Sequence, residues 1–245
     1  MITRRNLLSS ISILAIPGMS NLMAEEAAVK KTDDMSSKNR NLHFLKPDSV
    51  DFKNLLPAPP DSTADENKAE LELLLHLQRT RTDAEVKIAE AAAKLTISSF
   101  ADCFGNWFSA ETLPETSKLL LQMEADAKFY GGAAKEFFKR SRPAHDSRIQ
   151  PALKSEDVFS YPSGIATRGI LFALTLSELA PAKKEAVLDR GRSIGWARCV
   201  VGLHYPSDII AGRSLGQLLF QSMSIHPKFQ DTFKSARAEM AQAKK

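Results

Sequence analysis

Cysteine is scarce in this chain, two among 245 residues, and that scarcity excludes both a disulfide-scaffolded fold and a cysteine-rich metal site. Long apolar runs are missing as well. Beyond a short stretch near the N-terminus, no segment approaches the ~20 apolar residues that a bilayer-spanning helix needs. There is no internal repeat and no low-complexity array. Lysines and arginines are interspersed with acids, apart from short pairs such as Lys183-Lys184 and Lys244-Lys245, so the concentrated basic stripe of a nucleic-acid binder is absent. Strand-like runs of Val, Ile, Thr and aromatics between turn residues are few. Cys103 and Cys199 have two fates open to them. They can pair, closing a loop of about 97 residues worth on the order of 4 kcal/mol in the chain-entropy account, or they can serve as small buried hydrophobes.

What is present begins with Met1-Ile2-Thr3-Arg4-Arg5-Asn6-Leu7-Leu8, a positive n-region followed by an apolar run to Pro17 and small residues near Ala24. That order is an export signal over residues 1–24, removed in the mature protein. Thr3-Arg4-Arg5-x-Leu7-Leu8 resembles a twin-arginine signal, and paired arginines also suit a general secretory one. Its removal would take Arg4 and Arg5 and no acid, lowering the formal charge from +4 to +2. A periplasmic or secreted protein without a stable membrane span is expected.

Residues 25–63 are polar and close on Leu55-Leu56-Pro57-Ala58-Pro59-Pro60, as an extended N-terminal arm would. From residue 64 to 245 apolar residues recur at helical spacing. Helices are expected over 69–77, 86–100, 114–127, 132–139, 166–179, 183–201, 206–223 and 229–241, so the fold class is all-α, one compact helical domain behind its arm. An exposed apolar helix face would suit a homo-oligomer.

The chemistry-bearing residues sit at helix ends. Pro162-Ser163-Gly164 precedes the 166–179 helix, with Ser163 suited to capping and Gly164 to a close approach of backbone. A helix start there offers amide N–H groups and a positive dipole end to an anion, and the same tripeptide also serves as an ordinary helix start. Pro206 marks another start, placing His204 just before it and Asp208 in its first turn. A carboxylate four residues after a histidine fixes the ring tautomer and leaves the other nitrogen to attack phosphorus or take a proton. A surface histidine near a capping aspartate would show the same spacing. Arg142 and Arg198 add guanidinium forks that match phosphate oxygens, and Lys135 adds a point charge. The His204–Asp208 pair is too small a set to close a metal site.

Together these residues resemble the class A bacterial non-specific acid phosphatases, within the phosphatidic acid phosphatase type 2 superfamily that also holds vanadium haloperoxidases. The family signature is Lys-x6-Arg-Pro, Pro-Ser-Gly-His and Ser-Arg-x5-His-x3-Asp. Lys135-x6-Arg142-Pro143 matches in full, Pro162-Ser163-Gly164-Ile165 in three of four positions, and Ala197-Arg198-x5-His204-x3-Asp208 in all but the serine. Similarity extends from the Leu55–Pro60 run through Tyr161 to Gly212-Arg213 and the 229–239 tail.

The resemblance implies hydrolysis of phosphomonoesters, releasing inorganic phosphate, without a metal or other cofactor. His204 would be the nucleophile that forms a phosphohistidine, oriented by Asp208. Lys135, Arg142, Arg198, Ser163 and the Gly164 N–H would hold the phosphoryl oxygens. The family's general-acid histidine is replaced by Ile165, which cannot protonate a leaving group, so reduced activity and a preference for aryl over alkyl phosphates are expected. Positioned acid–base catalysis contributes about 10²–10⁴-fold. His145, just after Arg142-Pro143, is a second imidazole that could stand in, or simply an exposed loop residue. Ala197 forgoes a hydroxyl worth about 1 kcal/mol of hydrogen bonding. Two other readings are a non-catalytic phosphate or oxyanion binder and a vanadate-dependent haloperoxidase.

Overall fold

The computed structural model describes residues 42–154 and 158–243. The expected signal, residues 1–24, lies outside them, as does the first part of the arm. The described residues form nine α-helices: α1 (Phe52–Leu55), α2 (Asp65–Thr80), α3 (Asp83–Ala93), α4 (Ala101–Phe104), α5 (Pro114–Phe138), α6 (Gly164–Leu179), α7 (Lys184–Val200), α8 (Pro206–Ser224) and α9 (Pro227–Ala243). Short 3₁₀ turns link several of them. The one extended pairing among the described residues is an isolated antiparallel bridge between Ser141 and Phe159. The all-α reading of the sequence holds.

Helix α6 is the centre of the molecule. Its sequence is apolar nearly all round, and Ile170, Leu171, Phe172, Ala173 and Leu176 are buried on several faces, as befits a helix enclosed by others. Full burial of a side chain such as Leu171 or Leu176 stabilises the fold by roughly 1.5–3 kcal/mol. Helices α5, α8 and α9 close the same core with Leu119, Met123, Leu219, Met223 and Phe229.

Two carboxylates tie the ends of the described chain to α5. Asp126, fully buried, accepts from the backbone N–H groups of His43, Phe44 and Leu45 at 2.6, 3.0 and 2.9 Å. This seats Phe44 and Leu45 in the core, with Phe52 and Leu56 following. The later part of the sequence-defined arm, from residue 42, is thus packed against the helical body. At the other end, Leu113 gives α5 no side-chain cap. Glu239 of α9 supplies one, accepting from the Glu115 and Thr116 amides at 2.8 Å each.

Helix α5 differs from the sequence expectation of two helices, running unbroken through Gly131 and Gly132. Each glycine costs about 1 kcal/mol against alanine in a helix interior. Burial of Met123, Ala127, Tyr130 and Ala134 on its inner face outweighs that cost and carries Lys135 to the far end as part of one rod. The segment expected over 86–100 is shorter as a helix, ending at Ala93 and re-forming as a 3₁₀ turn at Ile97–Phe100. Both cysteines are free thiols; Cys199 is buried and Cys103 partly so.

Candidate active site

The site is assembled where α5, α7 and α8 end or begin around the start of α6. Beyond α5 the chain doubles back. Ser160 N donates to Arg140 O at 2.9 Å, its hydroxyl to Ser141 O at 3.1 Å, and Lys135 Nζ to Phe159 O at 2.7 Å. These bonds, with the Ser141–Phe159 bridge, bring Arg142 and the Pro162-Ser163-Gly164 turn to the same place. On the other side α7 stops at Val200, and Gly202 at φ +73° turns the chain toward His204. That left-handed conformation favours glycine. Leu203 N donates back to Arg198 O at 3.0 Å, which fixes the arginine and histidine relative to one another.

The turn before α6 is joined to the histidine loop through the backbone. Ser163 caps α6, its Oγ accepting from Ala166 N at 3.4 Å, so its hydroxyl hydrogen stays available to an anion. Ser163 N donates to Asp208 O at 2.9 Å. Gly212, one turn further along α8, lies against the Ser163 carbonyl: a β-carbon there would stand 2.5 Å from Ser163 O. Only a residue without a side chain permits that approach.

His204 and Asp208 meet as the spacing predicts. His204 Nδ1 is 3.2 Å from Asp208 Oδ2, and the same oxygen accepts from Tyr205 N at 2.9 Å. On the other edge of the ring, Arg142 Nη1 is 3.2 Å from His204 Nε2 and also donates to Leu203 O at 2.7 Å. A guanidinium can only donate, so Nε2 is the accepting nitrogen and the ring proton sits on Nδ1, facing Asp208. The imidazole is neutral, its lone pair on Nε2 turned toward the arginine. Burial is the main cause that lowers its pKa to about 4; Asp208 opposes the shift, and Arg142 and Lys135 add to it. Burial alone would raise the Asp208 pKa, but His204, Arg140 and the Tyr205 amide hold it below the ordinary carboxylate value.

Arg198 is largely buried. Its Nη1 donates to Ala89 O at 2.9 Å, while its buried Nε has no hydrogen-bond partner among the described residues. Burial, then repulsion from Arg142 and Arg168, lowers its pKa to about 10, so it stays charged in acid and neutral solution. A buried donor left unsatisfied among like charges is a physical mark of an anion site.

Lys135, Arg142, Ser163, Gly164, Arg198, His204 and Asp208 therefore belong to one region. The two departures from the motif differ in character. Ala197 is buried in an apolar cluster with Ala89, Val201 and Leu203, where a methyl suits its neighbours. Ile165, on the first turn of α6, is partly buried and packs against the main core. His145 is exposed at the end of the Pro143–His145 3₁₀ turn. Among the described residues no three His, Cys, Asp or Glu side chains gather where a metal ion could be held.

Two arginines at the site carry no motif. Arg140, largely buried, donates to Asp208 Oδ1 at 2.8 Å, Glu70 Oε2 at 2.7 Å, Asn67 Oδ1 at 2.9 Å and Ser207 Oγ at 2.6 Å, and stacks over the Tyr205 ring at 3.8 Å. Arg168, on the second turn of α6, forms an ion pair with Glu124. Proximity of Arg140 to Arg142 was the only sequence signal for the first, and the second has none beyond its place one turn after Ile165.

Comparison with known proteins bears on the same residues. Residues 118–230 match the model of the PAP2 superfamily. A non-specific acid phosphatase of Providencia stuartii is 31% identical over 231 residues, covering 89% of this chain and 92% of that protein. The chain belongs to the bacterial non-specific acid phosphatases of the PAP2 superfamily. A second such phosphatase, from Salmonella typhimurium, is 28% identical over 205 residues, 79% of this chain and 81% of its own. Among the described residues of this phosphatase no helix is long and apolar enough to cross a membrane.

Proposed function

We propose that this phosphatase is exported and hydrolyses phosphomonoesters through a phosphohistidine on His204, with slowed turnover of substrates whose leaving group needs a proton. The observation that carries the reading is the pair of contacts on the two edges of one imidazole, Asp208 Oδ2 to His204 Nδ1 at 3.2 Å and His204 Nε2 to Arg142 Nη1 at 3.2 Å. It sets the lone pair of a neutral imidazole beside a guanidinium that would hold a phosphoryl oxygen. Nε2 attacks phosphorus, the bond to the ester oxygen breaks, and the electron pair leaves on that oxygen. The ring keeps its Nδ1 proton, donated in a hydrogen bond to Asp208, and the carboxylate stabilises the charge that the ring acquires. Lys135, Arg142, Arg198, the Ser163 hydroxyl and the first amides of α6 stabilise the equatorial oxygens, a task typically worth several kcal/mol. Water then attacks the phosphohistidine, the P–N bond breaks, and inorganic phosphate departs.

Ile165 offers no proton to the leaving oxygen and no base to the water. The missing acid–base assistance corresponds to roughly 3–5 kcal/mol of barrier. Phenolates leave with little help, so aryl phosphates are the expected good substrates. The same isoleucine is the one observation that favours a second reading, an anion binder without turnover. Ile165→His separates the two. A gain of about 10²-fold or more with alkyl phosphates, and a smaller gain with p-nitrophenyl phosphate, is expected of a competent site. No measurable hydrolysis by either protein would leave the binder. Acid-labile, base-stable labelling of the wild type by ³²P-phosphomonoester, lost in His204→Asn, tests the covalent step.

A further inference from the structure

One guanidinium near the Pro162-Ser163-Gly164 turn has no part yet in the proposed reaction. Arg168 follows Gly164 by four residues and Ile165 by three, so helix periodicity puts the three on one face of α6. A β-carbon built on Gly164 would stand 3.6 Å from Arg168 Nη1, which brings that nitrogen back over the Pro162-Ser163-Gly164 turn. From behind, Arg168 Nε lies 3.3 Å from Glu124 Oε1 of α5, and Lys128 Nζ is 3.0 Å from the same oxygen. The side chain is 15% exposed, so its pairing with Glu124 is sheltered from solvent. Its charge also reaches Arg198, where it adds to the repulsion from Arg142. Two guanidiniums, those of Arg142 and Arg168, thus press on the buried Arg198, a repulsion that a bound anion would relieve.

We propose that Arg168 is a further oxyanion-binding and catalytic residue of this site, donating from its Nη1 edge to the ester oxygen of the substrate on the face where Ile165 supplies no acid. The proposal rests on the phosphatase reading above. In the first step the His204 Nε2–P bond forms, the P–O ester bond breaks, and the electron pair goes to the leaving oxygen. Arg168 keeps all its protons and stabilises that oxyanion by a charge-assisted hydrogen bond. The oxyanion is then protonated from solvent according to its own pKa. Such help grows with the charge on the leaving oxygen and suits aryl phosphates, whereas an alkoxide still needs the proton that no neighbour gives.

A leaving-group series decides the matter. With aryl phosphates of graded phenol pKa, Arg168→Gln should lose about 10²-fold in kcat/KM for the poorest leaving groups and much less for the best, steepening the dependence on leaving-group pKa. Arg168→Lys should fall between. Adding Ile165→His to Arg168→Gln should flatten the slope again. An equal loss across the whole series, or none, means that Arg168 only braces Glu124 and overturns the proposal. Inorganic phosphate provides an independent reading, because its inhibition constant, or its affinity by calorimetry, should weaken about tenfold in Arg168→Gln. If the wild type binds phosphate but hydrolyses none of the series, the phosphatase reading falls and this affinity alone judges Arg168. Weakening upholds its place in the anion site, and no change overturns it. A wild type that neither binds phosphate nor turns over sinks both.

Discussion

Arg140 Nη1 lies 2.8 Å from Asp208 Oδ1, on the side of the carboxylate turned away from His204. One guanidinium pairs with a buried and a partly buried acid, since Arg140 Nη2 is also 2.7 Å from Glu70 Oε2. Glu70 in turn accepts from Ser207 N at 2.6 Å, so α2 holds the start of α8 both directly and through this arginine. If His204 is the nucleophile, Arg140 would be a positioning residue, acting on the imidazole through Asp208. Arg140→Met should cut kcat by about 10²-fold with little change in KM and move the acid limb of the pH profile upward, because Asp208 would lose one of the charges that keep it ionised. It should also destabilise the fold by about 3–5 kcal/mol, the usual cost of leaving buried charge uncompensated. Recovery of most of kcat, with the limb unmoved, in Arg140→Lys would count against the need for the fork.

The pH dependence follows from His204. Its ring is neutral in the folded protein until about pH 4, against an ordinary value of 6.5. Turnover of an aryl phosphate should therefore stay level through mildly acid solution and drop near pH 4 as Nε2 takes a proton. Stability has the same sign. The unfolded chain gains this proton near 6.5 and the native state near 4, so the contribution is fully present above 6.5 and lost as pH falls through that window. The loss is on the order of 3 kcal/mol. Urea titrations across pH 4 to 7 measure it. Arg142→Gln, which removes one of the charges opposing protonation, should shift the acid limb of the rate profile to higher pH.

Gly212→Ala tests the seat of the turn before α6. The added methyl would meet Ser163 O at 2.5 Å and Ala166 Cβ at 2.9 Å, neither of which is a yielding side-chain tip. Overpacking of this kind typically costs 1–3 kcal/mol, and here the relief of strain would push Ser163 off its place. Lower thermal stability together with a raised inhibition constant for phosphate is the expected pair of results; a methyl tolerated in both measurements would show that the two helices can part.

Asp126→Ala should unseat the segment that enters the core at Phe44. Three amides, those of His43, Phe44 and Leu45, lose their acceptor. An unsatisfied buried donor costs about 1–3 kcal/mol, and partial hydration of the freed segment keeps the total near the single-group figure. Early hydrogen exchange at residues 43–50, with His204 chemistry retained below the lowered melting point, would locate the damage. Unchanged exchange there would show that Phe44 and Phe52 hold the segment by packing alone.

Much of this was legible in the sequence. Helical spacing sufficed for the all-α class, and the His204–Asp208 contact follows from an i, i+4 relation across a proline-marked helix start. The rest depends on distance along the chain. Arg140 reads as one more surface cation until the fold brings it to partners 70 and 68 residues away. Arg168 looks like a polar interruption in an apolar helix until α5 places Glu124 behind it. Gly131-Gly132 reads as a break because propensity is local, whereas the burial that overrides it comes from other helices. The Asp126 cluster has no local signature either, since its three donors are consecutive backbone amides that any residues could provide.

The 2.5 Å that would separate a Gly212 β-carbon from Ser163 O has a consequence for how this fold can diversify. The Pro162-Ser163-Gly164 turn is held by main chain pressed against main chain, while Ile165 on the opening turn of α6 meets the core through its side chain alone. On the proposed mechanism, substitution at position 165 would retune which esters are cleaved while the backbone approach that seats Ser163 stays as it is.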